Sequence, residues 1–213
     1  MLNRRSLIAL AVAAAVLVPL GSAQRARAAG DLYSRMQQVN SGLRSYQADV
    51  TVAIQLHSFP FISPTLAGTA YYKRPDKTAV DFQSVPSLAN QLKKVVGQIE
   101  PPAEWPSLYE VTPTGDDGTT ATFRLVRKKN GRIDHVDVTV DDRTATVSAM
   151  IYYYKDDGGT IAFKQTYDDI NGNYVIDAQT GKVDIPHYNA DVSSTFANYK
   201  INVPLDDKVF EDS

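Results

Sequence analysis

The spacing of apolar residues changes along the chain, and each spacing predicts an element. Between residues 31 and 45 apolar side chains recur at helical intervals, which predicts an amphipathic helix. Over 48–56 every second residue is apolar, which predicts a strand with one buried face. Shorter strands are predicted at 68–74 and 78–83. A proline-bounded stretch over 87–99 has a second helical stripe.

From residue 119 onward the pattern predicts strands separated by turns. Pairs such as Asn130-Gly131 and Asn171-Gly172 between β-rich runs are typical of hairpins. A further turn is predicted at Thr180-Gly181, whereas 105–113 is predicted to be irregular with room for a strand at 107–111. The predicted strands are Thr119–Lys128, Arg132–Val140, Ala145–Tyr154, Thr160–Asp168, Asn173–Asp177, Lys182–Ile185 and Asp191–Val203.

These elements predict a mainly β (α+β) fold. About ten or eleven strands would form one large, strongly curved antiparallel sheet, with an N-terminal helix and one inserted helix on the same face. No sequence repeat of 20–50 residues is visible, which disfavours a propeller or a solenoid.

The first 29 residues have the layout of a secretory signal peptide. Arg4-Arg5 precedes an uncharged, mostly apolar run over 6–20, and small-residue cleavage sites follow at Ala23 and Ala29. The alternative is a membrane anchor, but about 20 apolar residues are needed to span a bilayer and this run is shorter. We therefore expect export by the Sec or the twin-arginine route, with residues 30–213 forming a single domain.

Composition excludes several function classes. The chain has no cysteine, which removes disulfides, thiolate metal sites, cysteine nucleophiles and lipid attachment at a cysteine. Its net charge is −2. Residues 1–29 carry four arginines and no acid, so the remainder carries 18 basic and 24 acidic side chains, a net charge of −6. That balance disfavours nucleic-acid binding.

Catalytic motifs are missing from the sequence. The three histidines are far apart, and adjacent acids such as Asp141-Asp142 fall at predicted turns, where Asp is favoured. The stretch 169–173 loosely resembles the start of a calcium loop without its later ligands. We expect no cofactor, no metal and no enzymatic activity. The basic run 127–132 is interpreted as a solvated hairpin tip, with contact to anionic membrane headgroups as the alternative.

Apolar residues also occur where a globular core would not need them. The loop at 59–64 and the helix at 87–99 could together line a binding surface. The residues concerned are Phe59, Phe61, Ile62, Leu88, Leu92, Val95 and Val96. Core packing is the alternative for each of them.

The stretch 31–82 resembles the LolA-like family of periplasmic lipoprotein-sorting carriers. A predicted helix leads to Ser45-Tyr46, and a strand pair surrounds Lys73-Arg74-Pro75, as in that family. The resemblance continues more loosely into 202–210. It stops after Phe82, where a proline-bounded helix over 84–106 replaces the turn and strand of typical members.

The resemblance implies a half-open barrel closed by helices over a hydrophobic cavity. Such carriers ferry lipoprotein acyl chains between an inner-membrane release complex and an outer-membrane acceptor. A monomeric periplasmic protein is expected, with Val80 and Phe82 among the lining residues. Arg74 takes the place of the arginine that bonds to a lid helix and governs opening; its alternative is a strand-end arginine facing water. The other functions considered are a LolA-fold sensor or regulatory domain of the cell envelope and a secreted hydrolase using paired acids.

Overall fold

A computed structural model describes residues 30–57, 63–75, 77–83 and 100–211. One helix, α1, spans 30–38, and a short helix, α2, spans Trp105–Leu108. A 3-10 helix, η1, spans Asp207–Phe210. The strands are β1 (Ser45–Leu56), β2 (Thr65–Lys73), β3 (Lys77–Phe82), β4 (Tyr109–Asp116), β5 (Thr120–Arg127), β6 (Ile133–Asp141), β7 (Thr146–Tyr154), β8 (Thr160–Ile170), β9 (Asn173–Ile185) and β10 (Tyr188–Ile201).

All ten strands form one antiparallel sheet. Their order is β3-β2-β1-β10-β9-β8-β7-β6-β5-β4, so every neighbour except the β1–β10 pair is consecutive in the chain. The two edge strands, β3 and β4, are also consecutive. The segment that joins them therefore starts at one free edge of the sheet and returns at the other. The prediction of a mainly β, curved and open antiparallel sheet of about ten strands is confirmed.

One face of the sheet, which we call the inner face, carries the hydrophobic core. In β1 the side chains of Val50 and Ile54 are buried, whereas Thr51 and Gln55 between them are exposed. Ile54 and Leu56 of β1 and Leu66 of β2 belong to the same cluster as buried residues of β4 to β8, together with two residues of α1. The sheet therefore curls around α1. Burying each large apolar side chain contributes about 1.5–3 kcal/mol.

The N-terminal helix is shorter than the apolar spacing predicts. It ends at residue 38 rather than 45, and β1 already begins at Ser45. The cause is Asn40, whose φ of 58° lies in the left-handed region and stops the helix. Leu43, the last apolar position of the predicted stripe, is still buried, but in the loop.

The predicted turn at Thr180-Gly181 is wrong. Residues Asn173–Ile185 form one continuous strand, β9, in which Gly181 pairs with Phe163 on one side and Val192 on the other. A Cβ atom on Gly181 would lie 2.7 Å from the Phe163 ring. The glycine is therefore needed because the ring lies against its backbone.

The region after residue 100 is more regular than predicted. The stretch 105–113, expected to be irregular, contains α2 and the first part of β4. The turn between β9 and β10 falls at His187, whose φ is 73°, within the gap between the predicted strands 182–185 and 191–203. The hairpin turn at Asn171-Gly172 is confirmed, and both residues have a positive φ. Within the described residues, no helix is both long and apolar enough to cross a membrane.

Candidate functional site

The N-terminal helix covers part of the inner face through its apolar stripe. Leu32 and Met36 are each 2% exposed and belong to the core cluster. The Tyr33 ring packs against two aromatic rings, Trp105 of α2 and Phe123 of β5. Its centroid lies 6.1 Å from that of Trp105 and 5.9 Å from that of Phe123. Among the described residues, α1 thus covers this part of the inner face. The helix packs on the sheet through its side chains and forms no strand ladder with it, so it can move away without breaking one.

Polar contacts hold both ends of α1. Arg35 donates to the backbone carbonyl of Asp142 at 2.7 Å and forms an ion pair with its carboxylate. At the other end, the amide side chain of Asn40 exchanges two hydrogen bonds with the backbone of Tyr174, at 2.7 and 2.8 Å. These contacts fix α1 to the β6–β7 and β8–β9 turns.

Arg74 also binds the end of α1. Its guanidinium donates to the backbone carbonyls of Asn40 and Ser41, each at 2.9 Å. These carbonyls lie just beyond the C-terminal end of α1, where negative partial charge favours a cation. The Asn40 carbonyl also accepts from the Leu43 N–H at 2.9 Å. The backbone N–H of Arg74 donates to the Arg44 carbonyl at 2.8 Å, so β2 and the loop after α1 are joined twice. Among the described residues, the partner of Arg74 is therefore the loop that directly follows α1.

The predicted lining residues of β3 lie on the inner face at the edge of the sheet. Val80 pairs with Ala70, and Phe82 pairs with Gly68. Both apolar side chains are half-buried. A Cβ atom on Gly68 would lie 2.9 Å from the Phe82 ring, so the absence of a side chain lets that ring lie across β2.

Small side chains continue this part of the inner face into β1. Ala48 and Val50 lie opposite Ala70 and Gly68, and none of them projects far from the backbone. In this part of β1 to β3 the inner face therefore carries short apolar side chains, whereas large side chains fill the β4–β8 half. The other predicted lining residues lie outside the described residues: Phe59, Phe61, Ile62, Leu88, Leu92, Val95 and Val96.

A tyrosine cluster borders this apolar area near Arg74. The ring of Tyr46 stacks on Tyr72 with centroids 5.4 Å apart and meets Tyr199 edge-on at 5.3 Å. Burial, with a smaller contribution from Tyr72, raises the pKa of Tyr46 to about 12. The Tyr46 hydroxyl is thus neutral at physiological pH. Tyr46 is not among the predicted lining residues, although its alternation with Ala48 places it on the inner face.

A second polar contact set fixes the opposite edge of the sheet. The carboxylate of Glu100 accepts a hydrogen bond from the Tyr109 hydroxyl at 2.6 Å and pairs with Arg127 at 2.8 Å. The indole N–H of Trp105 donates to the Glu100 carbonyl, also at 2.6 Å. Burial and then the bond to Glu100 raise the pKa of Tyr109. The point where the connecting segment returns to the sheet is therefore anchored. No local sequence signal indicates this network, because its partners come from three elements.

The adjacent acids serve as turn residues. The Asp117 carboxylate accepts hydrogen bonds from Thr119 and Thr120, and these bonds lower its pKa. Asp141 likewise accepts from Thr144, and Asp169 from the backbone N–H of Gly172. The turn interpretation is confirmed for these three carboxylates. The described residues contain no group of three or more His, Asp or Glu side chains placed to hold a metal ion.

A groove of about 660 Å³ lies on the other, outer face of the sheet. The polar side chains that line it include Gln55, Lys164 and Lys182, which alternate along their strands with buried residues. It is separated from the apolar inner face by the thickness of the sheet.

Solved structures resemble this chain over most of its length. A DUF1329 family protein from Desulfovibrio piger matches with a TM-score of 0.66 at 14% identity, covering 87% of this chain and 96% of its own. A LolA superfamily protein from Nitrosomonas europaea matches with a TM-score of 0.60 at 12% identity, covering 85% and 96%. A domain described as an outer membrane lipoprotein-sorting protein, from Vibrio parahaemolyticus, matches with a TM-score of 0.64 at 9% identity, covering 87% and 95%.

The chain has a LolA-like fold. At these identities the likeness shows the fold alone. No family model and no curated protein matches the sequence.

Proposed function

We propose that this protein is an exported, non-enzymatic carrier that binds the acyl chains of lipoproteins or lipids against the inner face of its sheet. It would carry them through the periplasm towards the outer membrane. The observation that carries the proposal is an apolar inner face covered by a helix, in a LolA-like fold that spans 85–87% of the chain.

The chemistry of the inner face suits such a cargo. Each methylene group removed from water contributes about 0.8 kcal/mol, so a long acyl chain binds to an apolar surface without needing hydrogen bonds. The low surface formed by Val50, Ala70 and Val80 offers that contact. Release then requires a movable cover, and α1 is attached through polar contacts at its ends, including those from Arg74.

The proposal also includes export and partners. Residues 1–29 would be removed as a signal peptide, and the carrier would act as a monomer between an inner-membrane release complex and an outer-membrane acceptor. The N-terminal sequence of the exported protein would begin at residue 24 or residue 30. Replacing Arg4 and Arg5 with lysine would block export only if the twin-arginine route is used.

Lipid analysis of the purified protein tests the carrier function. We expect mass spectrometry to detect co-purified acyl lipids or lipoproteins, and a fluorescent fatty acid to bind. Val80→Asp places a charge on the inner face and should weaken fatty-acid binding about tenfold or more, because contacts with a few methylenes are lost. Thr51→Asp adds the same charge on the outer face and should leave binding unchanged.

Three other results would contradict or replace the carrier. A protein that contains no lipid and accepts neither the fatty acid nor a lipoprotein contradicts the proposal. Binding of free lipid without transfer of lipoprotein to acceptor membranes would favour the sensor alternative. Release of a cleaved product would favour a hydrolase.

A further inference from the structure

In the part of the sheet from β4 to β9, the turns at the two ends carry opposite charge. Because the sheet is antiparallel, the β5–β6 and β7–β8 turns lie at one end, and the β4–β5, β6–β7 and β8–β9 turns lie at the other. The first end, which we call the basic end, carries Arg127, Lys128, Lys129, Arg132 and Lys155. The opposite end carries Asp116, Asp117, Asp141, Asp142, Asp168 and Asp169. In the β5–β6 and β7–β8 turns, the acidic residues are Asp156 and Asp157.

Most of the basic end is not neutralised by ion pairs within the described residues. Arg127 is paired with Glu100. The Lys128 ammonium donates to the Pro106 carbonyl at 2.6 Å, and the Lys155 ammonium donates to the Asn130 side-chain oxygen at 2.6 Å, both of which are uncharged acceptors. Lys129 and Arg132 are exposed, and neither forms an ion pair with another residue of the described ranges.

The basic hairpin tip has a fixed position. The Lys155 backbone N–H donates to the Arg132 carbonyl at 2.9 Å, which ties the β5–β6 turn to the β7–β8 turn. The Lys128 backbone N–H donates to the Leu108 carbonyl, also at 2.9 Å. Val126, at the end of β5, is 40% exposed and is the one large hydrophobic side chain that is exposed among the described residues. Positive charge and an apolar contact are thus presented together.

We propose that the basic end docks on the surface of an anionic phospholipid bilayer. Lysine and arginine near such a surface each contribute about fivefold to binding, and the effect falls off within about 10 Å at 0.1 M salt. Residues 30–213 carry a net charge of −6, so attraction to an anionic surface depends on a local cluster of cations such as this one. The acidic turns at the other end of β4 to β9 are repelled, which favours docking through the basic end. This inference goes beyond the carrier function and does not depend on it.

Vesicle binding tests the docking surface. The purified protein is incubated with vesicles of phosphatidylcholine alone and with vesicles of equal parts phosphatidylcholine and phosphatidylglycerol. We expect binding to the anionic vesicles only, and less of it as salt increases. Changing both Lys129→Gln and Arg132→Gln should weaken that binding roughly 30-fold, at about fivefold per residue.

A matched variant changes the same charge at the other end. Arg143→Gln with Lys200→Gln removes two exposed cations there and should not weaken vesicle binding. Equal affinity for both kinds of vesicle, or an unaffected Lys129/Arg132 variant, would overturn the proposal. The proposal is also overturned if the protein does not bind vesicles but is retained on polyglutamate, and if this retention requires Lys129 and Arg132. That result would assign the surface to an acidic protein. Fatty-acid binding is measured on the same variants, so that a failure of the docking proposal can be distinguished from a failure of the carrier proposal.

Discussion

Replacing Arg74 with leucine tests how firmly α1 is held on the inner face. The change removes two hydrogen bonds, each 2.9 Å long, from the guanidinium to the carbonyls of Asn40 and Ser41. A hydrogen bond contributes about 0.5–1.5 kcal/mol net, and both of these are exposed to solvent. We therefore expect the free energy that holds α1 in place to fall by about 1–2 kcal/mol. The other contacts of α1 remain, so the fold persists.

Hydrogen exchange measures this effect where it occurs. A loss of 1–2 kcal/mol raises the open population about 5- to 30-fold, and the amides of 32–38 should exchange faster by that factor. The amides of β6, and those of β9 other than Tyr174, should be unaffected. Arg44→Leu is the matched control, because only the backbone of Arg44 takes part in hydrogen bonds of the described residues.

Cargo exchange adds a second measurement on the same variants. If α1 covers the cargo, Arg74→Leu should release a bound fluorescent fatty acid faster by a similar factor, and Arg74→Lys should give an intermediate rate because it keeps the charge with fewer fixed donors. Unchanged exchange over 32–38 would refute the assigned contact. Faster exchange with unchanged cargo release would refute the role of α1 as the cover.

Three further perturbations test individual contacts. Gly181→Ala brings a Cβ to 2.7 Å from the buried Phe163 ring and should lower the free energy of unfolding by about 1–3 kcal/mol, measured by thermal unfolding. Gly131 has open space around it, so the control Gly131→Ala should change this free energy by less than about 0.5 kcal/mol. Trp105→Ala empties a site that is 0% exposed and should cost about 3–5 kcal/mol in denaturant titration. Hydrogen bonds from two lysines lower the pKa of Asp207 to about 2, so its contribution is present at neutral pH and is lost as the pH falls from about 4 to 2. The difference in Tm between the protein and Asp207→Asn should therefore be constant above pH 5 and vanish near pH 2, and a difference that grows on acidification would contradict the assigned contacts.

Local patterns predict the sheet well because its strands are amphipathic and joined by short turns. The alternation in β1 and the Asn171-Gly172 turn each depend on neighbours in sequence, and both are confirmed. A glycine, however, suits a turn and a crowded strand equally well. Gly181 therefore suggested a turn, and only its pairing partner Phe163, which is distant in sequence, explains why it lies within a strand.

The candidate site is less accessible from the sequence because its contacts join distant segments. The position of Arg74 follows from the Lys73-Arg74-Pro75 step, but its acceptors depend on where α1 ends, and Asn40 ends it earlier than the apolar stripe predicts. No sequence pattern indicated a role for Glu100. Its bonds to Tyr109 and Arg127 form only once the sheet has brought β4 and β5 beside the returning segment.

The two free edges of the LolA-like sheet are anchored with unequal strength, which indicates where a carrier of this design would open. At the β4 edge the half-buried Glu100 carboxylate joins a phenol and a guanidinium, and the part-buried bond to Tyr109 makes this network more costly to break than exposed contacts. At the β3 edge the hydrogen bonds from Arg74 to the end of α1 are exposed, so water can replace them. Opening for cargo should therefore begin between α1 and the β2–β3 hairpin, while the β4 edge stays closed.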